Sequence, residues 1–407
     1  MGLSARSTLP LANLADHEGL TALVAALDGA AGGARYVGGI VRDTLLGIDA
    51  ADVDLATSFA PAESMRRIQA AGIKVVPTGL AHGTVTAVLP SGPVEVTTLR
   101  RDVATDGRHA VVAFTEEWRE DAARRDFTMN ALYADPVSGE LFDYFGGIDD
   151  LAARRVRFIG DPYQRIAEDH LRILRFFRFH ARFGDAIDDA GLAACAARSN
   201  DLMALSRERI AAELLKLLVA ARAVPVIALM IERGIFRAVL PEITDATPLA
   251  ALAAREVAAG IPPDAIRRLA ALLPAAAAET VGARLKLSNH DRKRLVAASG
   301  GPGSEGARAL AYRVGIASAV DRLLLAGADV ADLADWRPPA LPFGGGALVG
   351  RGLRKGPDVA AVLRQIETAW IAEGFPDAPR VEQLADDAVA QALAAATIAS
   401  ASPSSSG

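Results

Sequence analysis

The chain has 407 residues, 51% of them hydrophobic and 23% charged, an ordinary globular balance that excludes wholesale disorder and suggests roughly two to four domains. A single cysteine, Cys195, excludes a disulfide framework and a thiolate metal cluster and fits a reducing cytoplasm; six histidines leave few candidates for a multi-histidine metal site. The net charge of −5 argues against coating nucleic acid by bulk charge but leaves room for a local basic groove.

Residues 1–20 include acids and no apolar run long enough for a signal peptide or a membrane span. Short β-like runs follow, at Arg35–Gly38, Val53–Thr57, Val75–Thr78, Thr84–Pro90, Val94–Leu99 and Ala131–Asp135. Pro90-Ser-Gly-Pro93 between two of them signals a hairpin. The polar stretch from Arg100 to Asp121 shows no strong period and reads as a long loop.

After Gly146-Gly147 almost everything fits helical periodicity. Asp161-Pro162 starts a helix expected to reach Phe183, with Gly184 as its stop. Ser206 caps a second, over Arg207–Val219. Alanine- and leucine-rich helices continue to about Asp335, and a Pro/Gly cluster from Pro338 to Gly356 precedes a last helical piece ending near Ala395. The expected fold class is therefore α+β: a mixed-sheet head followed by an all-helical remainder. The divisions fall at residues 1–147, 148–220, 221–336 and 337–398, with a serine-rich, disordered end at 399–407. Charge is segregated: residues 151–183 hold eight arginines against three acids, and residues 357–407 hold seven acids against two arginines. The first stretch suits phosphates and the second does not.

Two features of the head carry chemistry. Val37-Gly38-Gly39-Ile40-Val41-Arg42-Asp43 stands between a strand and a helix, where glycines allow close backbone approach and free N–H groups suit phosphate. Arg42 in the first turn can meet a triphosphate. The spacing is neither a dinucleotide fingerprint nor a Walker A loop, and alone a plain tight turn explains it as well. Ten residues on comes Asp52-Val53-Asp54. On a strand, residues two apart share a side, so two carboxylates converge while Val53 faces the core. Such oxygen ligands suit Mg²⁺, and two ions held by shared carboxylates activate a hydroxyl and neutralise a leaving pyrophosphate. Glu95, between Val94 and Val96, is the best third acid.

These motifs resemble those of the tRNA CCA-adding nucleotidyltransferase and bacterial poly(A) polymerase family, in the polymerase-β-like superfamily. The resemblance continues through Arg124-Arg-Asp-Phe-Thr-Met-Asn-Ala131, Asp143-Tyr-Phe-Gly-Gly147, Glu168-Asp-His-Leu-Arg172 and Glu208-Arg209-Ile210 with Glu213-Leu214, and is dense over residues 34–216. It implies a polymerase-β-like catalytic head, then a helical neck that selects the base, a body that binds RNA and a tail that binds tRNA. Asp52 and Asp54 would bind the metals, with Glu95 the third carboxylate. Gly39, Arg42 and Arg125 would contact the nucleotide, and Asp126 would lie near the ribose.

On the neck, Asp169 and Arg172 are three apart and so are expected on one helical face, with Arg175 and Arg178 continuing the stripe. Cytosine and adenine each present an amino donor beside a ring-nitrogen acceptor; uracil and guanine present the reverse. A carboxylate beside an arginine therefore accepts C and A and leaves U and G with unpaired groups. The resemblance gives Asp169 and Arg172 this role, with Arg175 and Arg178 reaching phosphate or holding the pair. Arg100–Asp121 matches in position the family's flexible head loop, and Gly146-Gly147 would serve as a hinge. The expected activity is addition of CCA to tRNA from CTP and ATP with release of pyrophosphate, in the cytoplasm, with Mg²⁺ and with no membrane or protein partner. A poly(A) polymerase or A-adding enzyme is the alternative, a non-catalytic RNA-binding relative the remote one, and a small-molecule nucleotidyltransferase a further one. His290-Asp291 reads as a polar helix start, not a phosphohydrolase site.

Overall fold

The computed structural model describes residues 8–49, 52–105 and 110–401, without side chains for 13, 15, 102–112 and 396–401. The chain divides into two compact units, residues 1–247 with 283–287, and residues 248–282 with 288–407.

Among the described residues of the first unit, nine strands form: β1 (Ala34–Val37), β2 (Asp54–Thr57), β3 (Lys74–Gly79), β4 (Thr84–Leu89), β5 (Gly92–Thr98), β6 (Arg100–Thr105), β7 (Ala110–Phe114), β8 (Leu132–Ala134) and β9 (Leu141–Asp143). Seven make one mixed sheet in the order β3-β4-β5-β2-β1-β8-β9. The Pro90-Ser91 hairpin forms, with Leu89 opposite Gly92. The stretch from Arg100 differs from expectation. Its backbone pairs as a β6–β7 hairpin with Arg100 opposite Phe114, and the helix Trp118–Ala123 follows. Val111, Val112 and Phe114 favour strand, but no polar-apolar alternation announced it. Residues 106–109 lie outside the described residues. β9 has only three residues, too few to show a period.

The neck differs in one place that matters. Asp161 caps its helix as expected, accepting from the N–H groups of Tyr163 at 2.7 Å and Gln164 at 3.1 Å. That helix ends at Glu168, and a new one spans Arg172–Phe183. Asp169 is extended between them (φ −149°, ψ 106°), and its carboxylate accepts from the N–H of Leu171 at 3.1 Å. An Asp that bonds the backbone two residues on competes with the helical ladder, which is why one continuous helix does not form. The second neck helix is wedged into the core: Ile173, Phe176 and Phe177 are wholly buried. Phe176 stacks on Phe158 at 5.5 Å, and Phe127 lies 5.3 Å from Phe179, so one aromatic cluster ties the 124–131 segment of the head to the neck.

Gly146 takes a left-handed φ of 76° ahead of the short helix Gly147–Ala152, and Gly147 is closely packed. A Cβ on Gly147 would stand 2.3 Å from the Thr128 carbonyl oxygen. The cap Ser206 and the helix Arg207–Leu218 form as expected, with the Ser206 Oγ accepting from the N–H of Arg209. In the second unit, helices pack around two apolar clusters and a buried ionic one. There Asp321 accepts from Arg267 at 3.2 Å and Arg294 at 2.7 Å, and Glu256 from Arg267 and Arg268, each at 2.8 Å. Asn289–Ala298 is a helix capped by Ser288, and His290 is exposed. The last helix, Ala378–Ala401, passes the expected end at Ala395 and takes in the first residues of the expected disordered end; residues 402–407 lie outside the described residues.

Candidate active site

The site grows from the centre of the sheet. β1 ends at Val37, and Gly38 turns the chain at φ 71°, a left-handed value that favours glycine, before the helix Gly39–Leu46. β2 lies antiparallel to β1 and parallel to β5, with Asp54 opposite Glu95. β2 begins at Asp54 and not at Val53 as expected, so Asp52 precedes the ladder, with the buried Val53 (5% exposed) between the two acids. Both line a cleft of about 640 Å³. Glu95 stands beside Asp54 on the ladder but outside the cleft lining. Burial, then Glu95 and Asp52, push the Asp54 carboxyl up, Arg125 opposes them, and the result is about 6. Among the described residues no three His, Cys, Asp or Glu side chains gather closely enough to hold one ion. The raised Asp54 reflects burial first and the neighbouring negative charge of Glu95 and Asp52 second.

Above the glycine turn the cleft is cationic. Arg42 is 6% exposed; its Nε donates to Asp43 at 2.8 Å, its Nη1 donates to the Asn130 side-chain oxygen at 2.5 Å, and it lies 4.3 Å over the Phe183 ring. Arg125 donates to Asp121 at 3.0 Å and to the Tyr133 hydroxyl at 3.3 Å. Asp126, expected near the ribose, lines the cleft with its acceptors already engaged. It accepts from the Phe127 N–H at 2.8 Å, from Asn130 Nδ2 at 3.0 Å and from Arg175 Nε at 2.7 Å. Burial works against its charge, but Arg175 and Asn130 hold its carboxyl below the usual range.

Asp169, Arg172, Arg175 and Arg178 all line the same cleft. Arg209 donates to both Asp169 oxygens, at 3.1 and 2.8 Å. Arg172 is held by Glu168 at 2.7 Å and by the carbonyls of Arg165 and Arg124, each at 2.9 Å. Asp169 and Arg172 are joined only through the Arg172 N–H, which donates to the Asp169 carbonyl at 3.0 Å, so their side chains are held by separate partners. Arg178 donates to Glu213 at 2.5 Å and lies 4.4 Å over Phe179. Sequence reasoning named neither Asn130, Phe179, Arg209 nor Glu213 as part of the site. Asn130, Arg209 and Glu213 lie within the family-like motifs, and only their partners across the fold reveal their place.

The fold and the cleft define a polymerase-type head followed by a helical part. Residues 34–157 match the family described as "Poly A polymerase head domain", and residues 186–247 that described as "Probable RNA and SrmB- binding site of polymerase A". The chain is 48% identical over 189 residues to the mitochondrial CCA tRNA nucleotidyltransferase 1 of Homo sapiens, covering 46% of this chain and 43% of that protein. It is 39% identical over 212 residues to the CCA-adding enzyme of Anoxybacillus flavithermus, 52% of each chain. The match spans about half the length of these curated relatives. Among solved structures, it is similar to the CTP complex of the Bacillus stearothermophilus CCA-adding enzyme, with TM-score 0.64 and 25% identity over 87% of this chain and 93% of that one. A Thermotoga maritima CCA-adding enzyme complexed with tRNA shares the fold at TM-score 0.67 and 18% identity, over 97% and 98% of the two chains. Over residues 34–157 and 186–247 the chain is thus similar to tRNA CCA-adding nucleotidyltransferases and bacterial poly(A) polymerases. No helix among the described residues is long and apolar enough to cross a membrane.

Proposed function

We propose that the protein adds CCA to the 3′ end of tRNA from CTP and ATP, releasing pyrophosphate, with residues 1–147 as catalytic head, 148–220 as neck, 221–336 as RNA-binding body and 337–398 as tRNA-binding tail. The observation that carries this reading is the Asp169–Arg172 pair, each side chain held by its own partners, on the wall of the cleft that Asp52 and Asp54 also line. Asp52 and Asp54 would hold Mg²⁺, with Glu95 adjusting their charge; bound there, the metal polarises phosphate and activates the attacking hydroxyl. Gly39, Arg42 and Arg125 receive the triphosphate.

Asp169 accepts from the exocyclic amino group of C or A, and Arg172 donates to the adjacent ring nitrogen. A uracil or guanine would set its carbonyl against the carboxylate and its N–H against the guanidinium, leaving charged groups unpaired. Asp126, Arg175, Glu213 and Arg178 hold the surrounding geometry. The similarity to enzymes named as CCA-adding favours this over polyadenylation. A cytoplasmic location accords with the single buried thiol, Cys195.

The test offers purified protein tRNA ending at the discriminator base, at -C and at -CC, with each NTP in turn. CTP on the first two and ATP on the third is the expected pattern. ATP additions running on from every substrate would assign the chain to polyadenylation instead.

A further inference from the structure

We propose that a second hollow, beside the candidate active site, binds phosphodiesters of the RNA strand whose 3′ end is extended. The inference rests on the reading of the chain as an RNA 3′-end nucleotidyltransferase. The hollow measures about 540 Å³ and adjoins the first cleft through Arg178, which lines both. Arg182 and Lys216 line it with Arg178, Val219, Ala220 and Ala221, so among the described residues three cations face it and no carboxylate does.

These cations are unevenly compensated. Glu213 accepts from Arg178 at 2.5 Å. Arg182 reaches Asp43 only at 3.6 Å, and Asp43 is already paired with Arg42 at 2.8 Å. The Arg182 side chain is 48% exposed. Lys216 is exposed, and among the described residues no acid pairs with it. Arg182 and Lys216 each stand in the last turn of a helix, where a cation also offsets the helix's negative end. That role accounts for a cation at each end; it does not account for both facing one hollow that Arg178 also enters.

The same helix end indicates which phosphate. The segment Val219–Ala221 follows directly on the helix Arg207–Leu218, whose terminal carbonyls disfavour a compact, multiply charged anion such as pyrophosphate. A phosphodiester carries one charge, and its ribose 2′-hydroxyl donates to a carbonyl. The small residues Ala220 and Ala221 leave room for the sugar. Arg175, Arg178 and Arg182 extend about 10 Å along the helix axis, against roughly 3.4 Å of rise for one stacked nucleotide, so the row can follow a strand outward from the reaction site.

The test measures tRNA binding by fluorescence anisotropy without NTP, for the unaltered protein and for Arg182→Ala, Lys216→Ala and the double variant, over a range of salt. Primer extension and inhibition by pyrophosphate are measured alongside. Each alanine is expected to weaken tRNA binding about five- to tenfold and to reduce the slope of log affinity against log salt by about one. Arg182→Lys and Lys216→Arg should stay near the unaltered protein, and the KM for CTP and the pyrophosphate inhibition should move less than about twofold. Unchanged tRNA affinity in the double variant overturns the proposal. Weakened pyrophosphate inhibition with tRNA affinity intact overturns it too, and gives the hollow to the product. If the unaltered protein binds tRNA yet adds no nucleotide, the enzymatic reading falls, while this site is still decided by the tRNA affinities.

Discussion

On the sheet wall of the cleft, Asp54 has Glu95 and Asp52 for neighbours, and its carboxyl is pushed up to about 6. On the helical wall, Asp169 has the Arg209 guanidinium against both oxygens. Burial and negative neighbours make the first carboxylate hungry for a cation from solution, whereas a paired and backbone-anchored carboxylate is an acceptor fixed in direction. The contrast divides the proposed labour: one wall recruits the ions of the reaction, and the other reads the base without itself reacting.

The largest effect that would break the comparison lies on the sheet wall. Asp52→Ala or Asp54→Ala should lower nucleotide incorporation on the order of a thousandfold, the several kcal/mol that metal ions supply, while tRNA affinity persists. Unchanged turnover in a primer-extension assay would remove the metal assignment. On the helical wall, Asp169→Ala should instead relax choice. Discrimination of CTP against UTP, read from kcat/KM, is expected to fall roughly 10- to 100-fold, with CTP still used. A variant that rejects UTP as strictly as before would deny Asp169 its templating role.

Arg209→Ala sharpens the point, since Arg209 holds Asp169 without belonging to the proposed base-reading pair. A smaller relaxation, about three- to tenfold, is expected in the same assay, about the worth of one charged hydrogen bond. A lysine there should restore part of it. The smallest effect is on pH dependence in chelator. The folded carboxyl of Asp54 titrates near 6, above its ordinary 3.8, so the folded state holds the proton more tightly. Stability from this group is therefore present at low pH and lost as pH rises from about 4 through 6. Relative to Asp54→Asn, the metal-free protein should lose about 2–4 °C in Tm across that window, and Mg²⁺ should return it at pH 7. Parallel Tm curves for the two proteins would mean that Asp54 carries no such strain.

Legibility followed the range of the interaction. The glycine turn, the Pro90-Ser91 hairpin and the Asp161 and Ser206 caps depend on neighbours a few residues away, and each forms as read, whereas the strand at Asp52-Val53-Asp54 starts only at Asp54 although both acids line the cleft. The β6–β7 hairpin was not legible, because its pairing lacks an alternating pattern. The continuous helix through Asp169 was misread because periodicity is blind to a side chain that takes over its own backbone.

What the residues alone determined is therefore the type of chemistry: two closely spaced carboxylates, a phosphate-ready turn and an arginine-rich helix. What only the tertiary structure decided is which charge each of those groups meets. Arg209 comes to Asp169 from 40 positions away, Arg175 to Asp126 from 49 and Arg42 to Asn130 from 88. Local spacing sets where a side chain projects from its own element. Its partner depends on how separate elements pack, which for the neck is settled by Phe127, Phe158 and Phe176 in the core beneath the cleft.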